Sequence, residues 1–313
     1  MEVEITTISP LTAEQCALVQ AHSLWNGYNM LREELTILGR HLADNPALLT
    51  VGIQSCEERI ARLRDPRVAL VDATRLDELD ITVDAELESH LQRSPRLARA
   101  PTVIESKENL RSLSWILRVR ARELLARASA NGNTPWSTFT VAELEADFQE
   151  FLRALEQNAH GRYRIVSNLA LQQSTDYHVD LKFESARGTS VFMPAVFKDV
   201  IRDLIANARK YTPPGGQIHA AIHSGPDGFR GVVSDTGRGI PANEIPAVVE
   251  GGRRGRNVAD HRTMGGGYGL TKAFLATKQF NGRFWIDSEE GHGTKVRIWL
   301  PAPTSSPASG FAL

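Results

Sequence analysis

In the C-terminal half of the chain, four polar or glycine-bearing clusters follow one another, and each has residue types able to hold a phosphate, a cation or a base. The first is DVIRDLIANARKY, Asp199 to Tyr211, which reads as a helix with Asp203 and Asn207 one turn apart on one face. A carboxylate and an amide oxygen so placed can ligate Mg²⁺, whose octahedron is completed by phosphates and waters, and can position a water or an acceptor group. Alone, the pair reads more readily as a polar helix face. The second cluster, SDTGRGIP, follows an apolar strand. An aspartate at a strand end, Asp235, can accept from a base amino group, and Gly237 and Gly239 let the backbone approach that base; a tight turn is the plainer reading. The third, GGGYGL from Gly265 through Gly267 and Gly269 to Leu270, opens a helix whose N-terminal amides can cradle phosphate, or it is a flexible hinge. The fourth, Gly291 to Thr294, precedes the last strand and is weak by itself.

A different chemistry is possible at His22. It lies one position after a position of an apolar seam, on a flank expected to face solvent, with Asn26 and Asn29 at i+4 and i+7. A nucleophilic histidine needs that access, because a phosphoryl donor must reach one ring nitrogen while a partner holds the other. A lone helical histidine is more often an ordinary surface residue.

The elements that must position these residues divide the chain in two, as its 313 residues allow. From Leu11 to about His41 no proline intervenes, and Ala17, Ala21, Leu24, Tyr28, Leu31, Leu35, Leu38 and Leu42 recur in steps of three and four. This predicts one helix about 45 Å long, stopped by Asp44-Asn45-Pro46. A second seam, Leu110, Leu113, Leu117, Ala121 and Leu124, ends at Asn131-Gly132-Asn133. The two helices form an antiparallel hairpin, and two hairpins from a homodimer bury both seams in a four-helix bundle. The insertion between them, 46–103, has helical stretches at Ile53 to Leu63 and Asp84 to Leu97 and an extended run at Arg67 to Val71. The fold class is therefore α plus α/β, with a helical domain over 1–135, an α/β sandwich over 136–303 and a Pro/Ser-rich disordered tail over 304–313. Strands are expected at Thr138–Val141, Val179–Phe183, Gln217–His223, Gly231–Ser234 and Lys295–Leu300, with helices from Ala142 and over Pro194–Lys210.

Charge and composition narrow the partners. Lys plus Arg number 36 against 37 for Asp plus Glu, which removes the general attraction of a nucleic-acid binder, so no nucleic-acid partner is expected. No apolar run nears the roughly 20 residues that span a bilayer, the N-terminus lacks signal-peptide character, and Cys16 and Cys56 have no metal or disulfide spacing. The expectation is a soluble, unprocessed, cytoplasmic protein without membrane insertion.

In their order, NARKYTPPGG, SDTGRGIP, GGGYGL and GHGTKVRIWLP resemble the N, G1, G2 and G3 boxes of the histidine-kinase branch of the Bergerat-type (GHKL) ATPases, over about half the chain. The resemblance implies ATP and Mg²⁺ as cofactors. It implies that Asn207 ligates the metal, Lys210 contacts a phosphate and Tyr211 lies against adenine. Asp235 takes the adenine amino hydrogen bond in a pocket shaped by Gly237 and Gly239. Gly265, Gly267, Gly269 and Leu270 border the phosphates, and Thr294 supports the adenine side. Val248 to Met264, with Arg253, Arg254, Arg256 and Arg262, resembles the mobile lid. The family also presents a phosphoacceptor histidine on the first helix of a hairpin, which implies His22 as that residue and Asn26 as an aligner of water.

The chain departs from the family pattern in three places. Ser23 stands where the histidine is usually followed by an acid. Asp203 replaces a frequent asparagine and is similar to the water-activating carboxylate of gyrase-like relatives. Glu244 to Glu250 lacks the phenylalanine-bearing box. The leading expectation is a dimeric histidine kinase, a phosphoprotein transferring phosphate from His22 to the aspartate of a response-regulator receiver domain. The alternatives are a degenerate kinase acting as a nucleotide-binding scaffold, and a GHKL ATPase using Asp203 as base.

Overall fold

The computed structural model describes residues 2–129, 136–186, 188–253, 255–258 and 267–303. The chain divides into two compact units: Met1–Ser9, Thr134–Asp260 and Gly269–Leu313 form one, Pro10–Asn133 and His261–Tyr268 the other. The first nine residues, expected in the helical domain, thus belong with the α/β unit.

The helical unit contains α1 (Ala13–Gln20), α2 (His22–Ala43), α3 (Thr50–Arg62), α4 (Pro66–Thr74), α5 (Leu76–Arg93) and α6 (Pro101–Ser129). The single long helix expected from Leu11 is broken at Ala21, which adopts φ −94° and ψ 7° and separates α1 from α2. Thr12 starts α1 through a capping box with Gln15. At the other end Asp44 takes a left-handed conformation, φ 50°, and its N–H caps the Arg40 carbonyl, so the stop stands where the Asp-Asn-Pro sequence puts it. The expected extended run at Arg67 to Val71 is instead α4. Asp65 caps it by accepting from the amides of Arg67 and Val68, and Pro66 occupies the first helical turn, which its missing N–H tolerates.

The two seams meet as an antiparallel pair. Gly27 of α2 lies so close to Leu117 of α6 that an added Cβ would sit 2.6 Å from its Cδ2, and the Asn109 amide of α6 donates to Glu34 of α2 at 3.5 Å. Helices of the 46–103 insertion cover the rest of the seam. Gly52 of α3 abuts Leu35, and Val83 of α5 packs beside it. Glu86 of α5 accepts from the otherwise orphaned amides of Val51 and Gly52 at 2.9 and 2.8 Å, capping α3. Leu24, Leu31, Leu35 and Leu38 are consequently at most 1% exposed inside one chain. The insertion does what a second hairpin was expected to do, so burial of the seams does not require a dimer. The glycine-containing stop after α6, Asn131 to Asn133, lies outside the described residues.

In the α/β unit, β1 (Glu2–Ile5), β8 (Arg283–Glu289), β9 (Gly293–Pro301), β7 (Gly228–Asp235), β6 (Gln217–Gly225), β4 (Tyr177–Ser185) and β3 (Ile165–Val166) form a mixed sheet in that order. The β3–β4 and β4–β6 pairs are parallel and the others antiparallel. A ribbon of β2 (Trp136–Thr140) and β5 (Ser190–Pro194) stands apart from it. Alternation assigns the faces: Val179, Ile218, Phe229, Val233, Phe284, Val296 and Ile298 turn inward, while Asp180, His219, Arg230, Asp287 and Arg297 turn outward. The inner face packs on α7 (Val141–Gln157), α8 (Val196–Tyr211) and α9 (Gly269–Gln279) through Phe148, Val200, Leu204, Ile205 and Phe274. The strands expected over residues 179–183, 217–223, 231–234 and 295–300 are present in longer form, the one expected over 138–141 runs from Trp136 to Thr140 with Val141 opening α7, and β1, β3, β5 and β8 are additional.

Leu35 is fully buried where α2, α3 and α5 meet, so Leu35→Ala removes packing that neighbouring helices cannot refill. It is expected to cost about 3 kcal/mol, read as a lower denaturation midpoint of the helical unit.

Candidate nucleotide site

The start of α9 and the loop after Asp235 both meet the C-terminal part of α8, and Gly293 meets Asp235. Helix α8 is strongly amphipathic, with Val200, Ile201, Leu204, Ile205 and Ala208 buried against the sheet. Asn207 is half-buried on the helix near its C-terminal end, and the start of α9 comes down onto it: a Cβ on Gly269 would lie 2.5 Å from Asn207 Nδ2. Glycine at 269 is therefore what allows the glycine turn to approach the amide. Gly267, at φ 77°, leads into that turn, and Leu270 begins the helix behind it. Lys210 lies 4.9 Å over the Tyr211 ring, a cation–π contact that orders both side chains at the end of α8.

Asp235 ends β7. Its Oδ1 accepts from the amides of Gly237 at 2.8 Å and Thr294 at 3.3 Å, and burial pushes its carboxyl up to about 6 despite those two bonds. Around it the backbone is too close for side chains. Gly293, φ 99°, would place a Cβ 1.9 Å from the Asp235 carbonyl oxygen, and Gly239, φ 64°, one 1.9 Å from the Glu289 carbonyl. Ser288 completes the pocket wall. It accepts from the Ile240 amide at 2.8 Å, donates to the Gly293 carbonyl at 2.8 Å, and meets the Thr294 hydroxyl at 3.0 Å. The Arg238 amide donates to the Tyr211 carbonyl at 3.1 Å, joining this loop to the end of α8.

The segment expected to be the lid divides at its base. Ile245, Val248 and Val249 are buried in the core of the α/β unit, so the stretch without the family's phenylalanine is anchored by aliphatic side chains. Beyond Gly252, Arg256 pairs with Glu244, and Asn257 donates to the Gly239 carbonyl at 3.0 Å. Arg254, Arg262, Met264 and Gly265 lie outside the described residues.

The helical unit places His22 differently from expectation. It is 4% exposed, not on an accessible flank, and its Nε2 is 3.2 Å from Asn26 Nδ2. Asn29 is also buried, donating to the Trp25 carbonyl at 2.9 Å. The Tyr268 ring lies edge-on to His22 with centroids 6.4 Å apart, so part of its cover comes from a distant stretch of the chain.

Two residues went unnoticed in the sequence. Ser288 has no motif of its own. Lys272 has a visible signal: it is the one charged residue in the Leu270–Leu275 stretch, and it is 4% exposed. Its Nζ donates to Asp203 at 2.8 Å and also to Asp199, so Asp203 lies against a buried ammonium. Asn207 is then the α8 oxygen ligand left to offer a divalent cation. That suits Mg²⁺, which commonly takes one or two protein ligands and completes its shell with phosphates and waters. Among the described residues no group of three or more His, Cys, Asp or Glu forms another cation site.

Residues 194–304 match the family described as "Histidine kinase-, DNA gyrase B-, and HSP90-like ATPase". This stretch is similar to that family. The chain is 31% identical over 158 residues to "Adaptive-response sensory kinase SasA" of Synechococcus elongatus, a match covering 50% of this chain and 38% of that protein. A SasA from a Synechococcus species is 27% identical over 293 residues, covering 88% of this chain and 72% of the relative. With the S. elongatus protein, the chain spans well under half of the relative's length. A solved structure, "Mycobacterial sensor histidine kinase MprB", aligns over 53% of this chain and 97% of its own at 21% identity, with a TM-score of 0.38. Among the described residues no helix is long and apolar enough to cross a membrane.

Gly293→Ala is expected to force the Asp235 backbone aside and to cost about 2 kcal/mol or more. Gly291→Ala, which has positive φ but nothing within 4 Å of its added Cβ, is the control and should cost less in the same thermal melt.

Proposed function

We propose that this protein is an ATP–Mg²⁺-dependent histidine kinase that phosphorylates His22 and passes the phosphoryl group to the aspartate of a receiver domain. The observation that carries the reading is the convergence of Gly237, Thr294 and Gly293 on Asp235, beside an α8 whose Asn207 meets the glycine turn. A carboxylate oriented by two backbone amides is a fixed acceptor for the adenine amino group, and Asn207, Lys210 and the α9 N-terminus supply oxygen, charge and amides on the phosphate side. When bound, Mg²⁺ neutralises charge on the transferring phosphoryl group. The protein's part is positioning, which is most of what phosphoryl transfer needs.

Transfer to His22 has a precondition. A ring 4% exposed meets a γ-phosphorus only after its cover moves, so the reading requires a conformational step before chemistry. Asn26, bonded to the ring, holds one nitrogen in place and aligns water for the reverse loss of phosphate from a partner. A second copy of the chain is a proposed partner too, through surface other than the buried seams.

The same burial favours a second reading, a nucleotide-binding regulatory scaffold. Ser23, also buried, follows His22 where the family has an acid, and serine is no ready proton acceptor. The two readings separate when wild-type and His22→Ala chains are incubated with γ-labelled ATP and Mg²⁺. The kinase gives an acid-labile, base-stable label on the wild type alone; nucleotide binding without label on either leaves the scaffold.

The proposed role of Asp235 also sets a pH dependence. The ionised carboxylate accepts the adenine amine, and burial has raised its protonation to about pH 6. Affinity for ATP should therefore be level above pH 6 and fall below it, by up to about tenfold per pH unit. Asp235→Asn should bind about 10- to 100-fold more weakly and lack that limb of the profile, as measured by titration calorimetry.

A further inference from the structure

Lys272 is not part of any of the four clusters, yet it makes the most buried ionic contact of the α8–α9 pair. Its side chain is 5% exposed, those of Asp199 and Asp203 are 2% and 8% exposed, and both carboxylates accept from its one ammonium. The two aspartates are one turn apart on α8 and would repel each other there without a cation between them. The ammonium comes from α9, three residues after Gly269, whose backbone touches Asn207. One side chain therefore fixes the helix with the cation-binding amide against the helix that opens the glycine turn.

We propose that Lys272 is a positioning residue of the nucleotide site, and that by holding Asp203 it withholds the base that ATP hydrolysis would need. The proposal rests on the nucleotide-binding reading above. In hydrolysis a water oxygen bonds to the γ-phosphorus, the bridging P–O bond breaks with its electron pair leaving on ADP, and the water's proton goes to a carboxylate. An Asp203 oxygen that already accepts from Lys272 at 2.8 Å has that lone pair occupied, in a side chain only 8% exposed. The site is thereby biased toward retaining ATP for transfer to another acceptor.

The test compares the full chain with Asp203→Asn, Lys272→Gln and the double variant, measuring ATP affinity by calorimetry, phosphate release with Mg²⁺, and thermal melting. Asp203→Asn is the reference for the double variant and should raise phosphate release no more than about twofold. Lys272→Gln should raise release at least about tenfold, and Lys272→Gln/Asp203→Asn should return it to the wild-type level. Loss of wild-type release in Asp203→Asn, which is nearly isosteric and not expected to unfold the chain, overturns the proposal. So does a folded Lys272→Gln with no gain. If Lys272→Gln melts early, the neutral variant Asp199→Asn/Asp203→Asn/Lys272→Gln should recover the melting temperature and ATP affinity together; recovery of melting without affinity overturns the positioning role. A wild type that binds no ATP sinks the nucleotide reading instead, and the Lys272 link is then judged by the melting comparison alone.

Discussion

Two backbone amides from distant parts of the chain converge on one oxygen of Asp235, and much of the α/β unit is arranged to let them. Gly237 follows Asp235 in the same loop, whereas Thr294 arrives from the start of β9. That strand approaches because Gly293 has no side chain, and Ser288 fixes its distance by bridging Ile240 and Gly293. Burying this carboxylate costs solvation, and the two amides offset that cost only in part, so its protonation is shifted upward.

The helical unit solves a different problem. Two leucine-rich stripes cannot remain in water, and covering them with another copy of the same hairpin is one solution. Here α3, α4 and α5 supply the cover from within the chain, locked by Glu86 on the amides at the start of α3 and by Asp72, which pairs with Arg59 at 3.5 Å and Arg62 at 3.1 Å. A buried carboxylate shared by two guanidiniums is specific to one packing register, so the insertion is a structural component of the bundle.

How much of this was legible follows from the range of the forces involved. Seam periodicity, the Asp44 stop and the order of the four clusters are local signals, and α2, α6, α8 and the Asp235 loop stand where they indicate. The break at Ala21 was hidden because Ala17 and Ala21 continue the seam spacing while the backbone turns. Arg67 to Val71 looked extended because Val68, Leu70 and Val71 favour strands, but Pro66 and the Asp65 cap make it a helix start. The burial of His22 depends on tertiary cover, which residue spacing does not report. Lys272 was overlooked since its partners lie on another helix, though a lone charge in the Leu270–Leu275 stretch was a sign that some partner existed.

The strand β1 carries a consequence for synthesis. Glu4 and Arg283, which pair across the β1–β8 edge, are 279 positions apart, so β1 must wait for a segment made much later. Loop closure over such a span cannot begin early, and contacts of that separation form slowly unless the intervening chain is already compact. The helical unit lies wholly between them in the chain and has a core of its own, so its folding shortens the effective span before β8 exists. In the nascent chain, then, β1 stays unpaired until β8 has been made, after the whole helical unit.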